Sequence, residues 1–297
     1  LMGRVDRALS DWGDSTPGYG YVLGMYAFGL EENGRYQEAE ALGRQSVELN
    51  PQDAWGVHSV THVMEMTGRA EEGIEWLEST LPGWGSSTMK LHNWWHALLL
   101  YIDLGDTDTA LELYDTRLVD DERVDAEALA DRVSALARFA LLDVDVGDRW
   151  PVLAKLWEPM MFDARSPFND LHALLTFHYS NLGDLAQALV ECVRSEYDRT
   201  IPMMRVGASV IEGVDALFQG DNDAALASLQ EHFSEVNLIG GSHAQRDLVS
   251  QITLEAAVRA GEWASARAML KERKLRRESM PYAYSRHCEQ RMAVGST

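Results

Sequence analysis

Two pairs of histidines are the residues best placed to do chemistry. His58 and His62 are spaced i, i+4, and so are His92 and His96. On a helix that spacing puts both imidazoles of a pair on one face. With a carboxylate nearby it is a metal-ligand pattern, and Glu65 follows His62 by three residues. Two or three histidines plus a carboxylate suit zinc or non-haem iron. On this reading His58, His62, His92 and His96 are the metal ligands, and the cofactor is a divalent cation. Without metal, the same four histidines and Glu65 are candidate catalytic acids and bases, because imidazole titrates near neutral pH. The plainer alternative is a set of inner-face polar groups bonded to one another and to water.

The elements that must position these residues are also legible. The second histidine pair follows the first by 34 residues, the period of a tetratricopeptide repeat, a helix–turn–helix unit. Turn glycines recur at Gly34, Gly68, Gly105, Gly183, Gly220 and Gly261. Five residues after each stands Ala39, Gly73, Ala110, Ala188, Ala225 or Ala266, as close packing of paired helices requires. Gly147 fits as a turn, but its counterpart is Val152. The spacings predict about seven helix pairs over about residues 19–275, with an incomplete unit at each end. The expected fold is all-α: a single tetratricopeptide-like α-solenoid over residues 1–297, an α-α superhelix with a concave inner face.

Measured back from the turn glycine, His58 and His62 lie at 10 and 6, and His92 and His96 at 13 and 9. Those offsets form an i, i+3, i+4, i+7 series, one face of a helix. The four histidines are therefore expected on the same face of two neighbouring helices, about 8–10 Å apart. Asp170 lies 13 before Gly183 and carries the same offset.

Helices are expected at 4–12, Tyr19–Asn33 and Tyr36–Leu49. Leu81–Ser87 reads as a Gly-rich loop holding Trp84, Asp120–Asp125 as a solvated turn, and Met160–Pro167 as a crossing. Trp76 reads as core; of Trp94 and Trp95, one packs and the other walls the groove. After Pro167, Asn169 or Asp170 is placed to cap a helix that carries His172. Ser242 is placed to cap another, beginning near His243. There, free backbone N–H groups with Arg246 suit a carboxylate or phosphate, unless Arg246 and Asp247 join a buried network. The ligand-binding candidates are thus Asn93, Trp94, Asp170, His172, Arg246 and Asp247.

Composition narrows the partners. The 26 Lys and Arg face 47 Asp and Glu, a net charge of −21 that disfavours nucleic acid and anionic membranes. The one basic run, Lys271–Arg277, reads as the cationic end of a helix. No apolar run approaches the ~20 residues of a membrane span. No signal-peptide pattern is visible, in a sequence that opens on Leu1 rather than Met. Cys192 and Cys288, far apart and outside any CxxC, suit a reducing, cytoplasmic setting. No P-loop, dinucleotide fingerprint or GxSxG occurs.

Four stretches together carry a resemblance. They are Gly20–Met66 with its DAWGVHSVTHVMEM, LHNWWHALLLYIDLGDTDTALELYD, FNDLH and GGSHAQRD. From about Gly18 to about residue 280 the chain resembles the tetratricopeptide repeat protein 38 family. The resemblance implies an all-helical, cytosolic protein without a settled activity, whose relatives carry extra helices upstream. By motif it carries over His58, His62, Glu65, His92, Asn93, His96, Asn169, Asp170, His172, Gln245, Arg246 and Asp247.

The functional expectation is capture of a small polar or acidic ligand, or of a protein or peptide partner, on the concave face. The inner face lacks the Lys/Arg clamp that holds peptide carboxylates. The alternatives are a hydrolase, lyase or oxygenase using the same pocket, and a protein–protein scaffold.

Overall fold

A computed structural model describes residues 2–9, 11–13, 15–160, 166–276 and 282–295, and no strand occurs among them. Packing divides the chain into two units: 1–121 with 274–280, and 122–273 with 281–297.

The first unit holds α1 (Met2–Leu9), α2 (Tyr19–Glu31), α3 (Tyr36–Leu49), α4 (Ala54–Met66), α5 (Ala70–Trp84), α6 (Lys90–Leu104) and α7 (Thr107–Leu113). A π-helical turn, Tyr114–Val119, extends α7. The expected boundaries of α3 coincide with those observed, and α2 ends two residues earlier. Gly34, Gly68 and Gly105 close the first helix of each pair in the left-handed region, at φ 73, 71 and 88°. L-residues with a Cβ rarely adopt that conformation, which is why glycine recurs there. Ala39, Gly73 and Ala110 are all buried where the paired helices meet. A Cβ on Gly73 would come within 2.7 Å of Leu100 Cδ1, so the small side chain is a packing requirement.

One expectation for this unit fails. Leu81–Ser87 is not a Gly-rich loop holding Trp84: α5 runs through Pro82 to Trp84. Trp84 is fully buried, donates to the Leu77 carbonyl at 3.0 Å and packs edge-on against Trp94. Burying the indole outweighs the hydrogen bond that Pro82 removes near the helix end.

The second unit holds α8 (Ala126–Leu141), α9 (Arg149–Trp157), α10 (Pro167–Tyr179), α11 (Gly183–Glu196), α12 (Pro202–Phe218), α13 (Asn222–Glu231), α14 (His243–Arg259), α15 (Trp263–Arg276) up to Arg273, and α16 (Ala283–Gly295). Short 3-10 turns follow α9 at Glu158–Met160 and α13 at Phe233–Ile239. Residues 161–165 of the expected crossing, and Arg277 of the basic run, lie outside the described residues.

The turn assigned to Gly183 is displaced. Asn181 takes the left-handed conformation at φ 57°, and Gly183 instead opens α11. Asparagine tolerates this region because its short side chain bonds locally. The small residue five positions after Asn181 is Ala186, which is buried, whereas Ala188 is only partly so. The register therefore shifts by two: His172, nine before Asn181, takes the offset of His96 before Gly105, and Asp170 does not share that of His92.

This correction carries a test. Gly183 lies outside the left-handed region, and a Cβ added there would meet nothing within 4 Å. Gly183→Ala is expected to stabilise the protein by about 0.4–1 kcal/mol, by restricting the unfolded chain. Urea unfolding reads it; a loss of similar size would return the turn to Gly183.

Candidate functional site

The histidines are set by two helices whose ends are fixed by sequence. Asp53 caps α4, accepting from the Trp55 N–H at 3.2 Å and from the Ser46 hydroxyl at 2.5 Å. α6 ends at Gly105 in the left-handed region. All of α4 except Trp55 is buried, because α2, α3, α5 and α6 pack around it. Its polar side chains must therefore find partners inside the protein.

Those partners are the α6 histidines. His58, His62, His92 and His96 are 2, 0, 5 and 0% exposed. One ring nitrogen from each lies within 4.8 Å of those of the other three. His58 Nε2 and His92 Nε2 are 3.1 Å apart, so one carries the proton and the other accepts it. The rings of His58 and His62, and of His62 and His96, meet edge to face at 4.4 and 4.5 Å.

Two carboxylates back the cluster. His96 Nδ1 lies 2.8 Å from Glu65 Oε2, and His62 Nδ1 lies 3.5 Å from Glu31 Oε2. Both glutamates are buried, at 3 and 0% exposure. At His96 the hydrogen-bonded carboxylate fixes the tautomer that leaves Nε2 as the lone-pair nitrogen, whereas Glu31 stands at the longer distance of an ion pair from His62. His58 is held well below the usual imidazole range, first by burial and then by His62, His92 and His96 around it. It is therefore neutral at physiological pH, the form in which imidazole binds a metal.

Aromatic rings complete the wall. Phe28 lies 5.2 Å from His58 and 5.3 Å from His62, and Trp55 lies edge-on to His58. Trp95 stacks on His92 at 5.1 Å. Trp94 instead packs against Trp84, with the Arg117 guanidinium 4.7 Å above its ring, in the apolar cluster of Leu77 and Leu100. Asn93 is fully buried, and neither end of its amide has a hydrogen-bond partner among the described residues.

Glu31 and Phe28 escaped the sequence reading although the repeat marks both. Glu31 lies three before Gly34, as Glu65 lies three before Gly68, and Phe28 precedes His62 by 34. Glu31–His62 and Glu65–His96 are thus the same contact in successive repeats, each spanning 31 residues.

The second unit places the remaining candidates. Ser166 stands at the N-cap position of α10, without a side-chain cap hydrogen bond, so Asn169 and Asp170 lie within its first turn rather than capping it. Asp170 accepts a short hydrogen bond from the Tyr197 hydroxyl, and burial pushes its carboxyl up to about 6 against that bond. His172 Nδ1 bonds the Phe168 carbonyl at 2.7 Å, and burial pushes the ring down to about 4. Its Nε2 is buried and has no hydrogen-bond partner among the described residues. Ser242 caps α14 in a capping box with Gln245, whose amide nitrogen donates to Asp131 at 3.3 Å. Arg138 donates to the Ala244 carbonyl at 2.7 Å and to the Ser134 hydroxyl. Arg246 donates to the Gly241 carbonyl, and Asp247 takes both Nη atoms of Arg273 at 2.5 and 2.9 Å. Asp131 and Arg138, buried in the Ala-rich α8, were missed; three buried charges, Asp131, Arg132 and Arg138, inside that helix were the available signal.

No family model matches the chain. Among solved structures it is similar to a tetratricopeptide repeat protein from Parabacteroides merdae, with a TM-score of 0.51 and 17% identity over 94% of this chain and 100% of that one. At that identity the likeness is one of fold, and with the helix pairs above it defines a tetratricopeptide-like all-α protein. No described helix is long and apolar enough to cross a membrane.

Proposed function

We propose that this protein is a tetratricopeptide-like binding protein that takes a small polar ligand in the histidine core of its first unit. One observation carries the reading: four buried imidazoles gather within 4.8 Å of one another with two buried carboxylates against them, and α6 also carries a fully buried asparagine amide. Buried polar groups are costly unless they are used or fully satisfied. Histidines 0–5% exposed suit a ligand of few atoms, not an extended peptide in an open groove. In this reading His58, His62, His92 and His96 contact the ligand, Glu31 and Glu65 orient them, and Asn93 supplies hydrogen bonds. In the second unit His172 is the residue best placed for a ligand, since Tyr197, the Gly241 carbonyl and Arg273 engage Asp170, Arg246 and Asp247. Trp94 belongs to the core.

The same reading places the chain in the tetratricopeptide repeat protein 38 family, as a single repeat domain of the cytoplasm. Cys192 and Cys288, which form no disulfide, agree with a reducing compartment. A second reading, an enzyme using the same residues, draws support from the carboxylate–histidine pairs, which resemble the oriented bases of hydrolases. A pure interaction scaffold, which the fold alone suggests, leaves the buried histidines without a role.

A thermal-shift screen of small acids, short peptides and divalent ions tests the reading. Ligand-induced shifts of the wild type are expected to disappear in both His62→Ala and His96→Ala. If both variants keep the wild-type ligand response, stability and turnover, the core is not the site.

A further inference from the structure

Resting on that reading of the core, we propose that its ligand is one divalent first-row transition-metal ion. Nε2 of His58, His62, His92 and His96 would hold it, with Glu31 and Glu65 as outer carboxylates.

The donor geometry is the first argument. In a tetrahedral site with metal–nitrogen bonds of about 2.0–2.1 Å, ligand nitrogens stand about 3.3 Å apart. His58 Nε2 and His92 Nε2 are already 3.1 Å apart, and one ring nitrogen from each of the four histidines lies within 4.8 Å of the others. Small ring rotations close the remainder. The 3.1 Å contact is a single N–H···N hydrogen bond between His92 and His58; a cation between the two nitrogens replaces it with two metal–nitrogen bonds.

Outer contacts are the second argument. Ligating histidines usually give their other ring N–H to a carboxylate or carbonyl. Glu65 meets His96, and Glu31 meets His62, each on Nδ1 and so on the side away from the proposed ion. The two buried carboxylates also supply charge opposite to that of a divalent cation. The 34-residue repeat produced this arrangement twice, one helix pair apart.

The donor chemistry sets the class of ion. Four imidazole nitrogens suit zinc, cobalt, nickel, copper or ferrous iron. Magnesium and calcium prefer oxygen and are not expected to bind.

Untagged, full-length protein is stripped with a chelator, dialysed and titrated with cobalt(II) and zinc(II). The expected result is saturation at one ion per chain, with the visible absorption of a nitrogen-bound cobalt(II) site displaced by zinc. His62→Ala and His96→Ala are expected to lose both signals. Glu31→Gln and Glu65→Gln, which keep size and fold, are expected to retain the stoichiometry, bind about 10–100-fold more weakly and alter the cobalt spectrum. A purely structural role for the glutamates would leave that spectrum unchanged. Failure of folded wild type to bind either ion overturns the proposal, as does binding indifferent to all four variants. If metals fail while a small acid still shifts the wild type and not His62→Ala, the binding core stands and the metal falls. If neither binds, both fall.

Discussion

Protein held at 100 times its metal dissociation constant is expected to be about 2.7 kcal/mol more stable than the stripped protein, and about 4.1 kcal/mol at 1,000 times. The reason is linkage. The ligands come from α4 and α6, so the site exists only once these helices pack. An ion that binds the folded chain and not the unfolded one adds its binding free energy to folding. In His96→Ala the increment is expected to vanish, because one donor and the partner of Glu65 are both lost. Denaturant unfolding with and without the ion measures it for each protein. Equal increments in wild type and variant would place the ion elsewhere on the chain.

The second large effect depends on pH and belongs to the other unit. Burial raises the Asp170 carboxyl from an ordinary value of 3.8 to about 6. A group raised in the folded state binds its proton more tightly there than in the unfolded chain. Its contribution to stability is therefore fully present below pH 3.8 and is lost as pH rises through about 6. The difference of about 2.2 units corresponds to about 3 kcal/mol as an upper figure. Asp170→Asn removes the charge while its carbonyl still accepts from the Tyr197 hydroxyl. The variant is expected to be more stable than wild type at pH 7.5 by up to about 3 kcal/mol, with the advantage shrinking below pH 6. Urea midpoints at pH 7.5 and 4.5 decide it. An advantage that does not change with pH, or a loss at both values, would contradict the raised carboxyl at Asp170.

The core of the candidate site was legible because its residues obey the repeat. A 34-residue translation carries His58 to His92 and His62 to His96, and one helix face follows from the offsets. The same translation pairs Glu31 with Glu65, yet Glu31 lies in the preceding helix and no histidine marks it locally. Turn glycines were legible where glycine itself adopts the left-handed conformation. At Asn181 another residue does so, and the nearby Gly183 imitates the signal from the start of the next helix. That displacement moved the register of α10 by two and gave Asp170 an offset equal to that of His92, when it is His172 that takes the offset of His96. Pro82 and the flanking glycines imitate a loop as well, because local punctuation does not record that Trp84 has a buried place to fill. The charges of Asp131 and Arg138 were visible within an apolar helix, but their partners were not legible, since Gln245 and Ala244 lie more than a hundred residues away.

The most direct measurement is the metal content of untagged protein purified without chelator, alongside His62→Ala prepared in the same way. The expected result is a near-stoichiometric transition metal in the wild type and none in the variant. A wild type that stays metal-free, even after reloading, would contradict the metal centre and leave the four histidines to bind a ligand of another class.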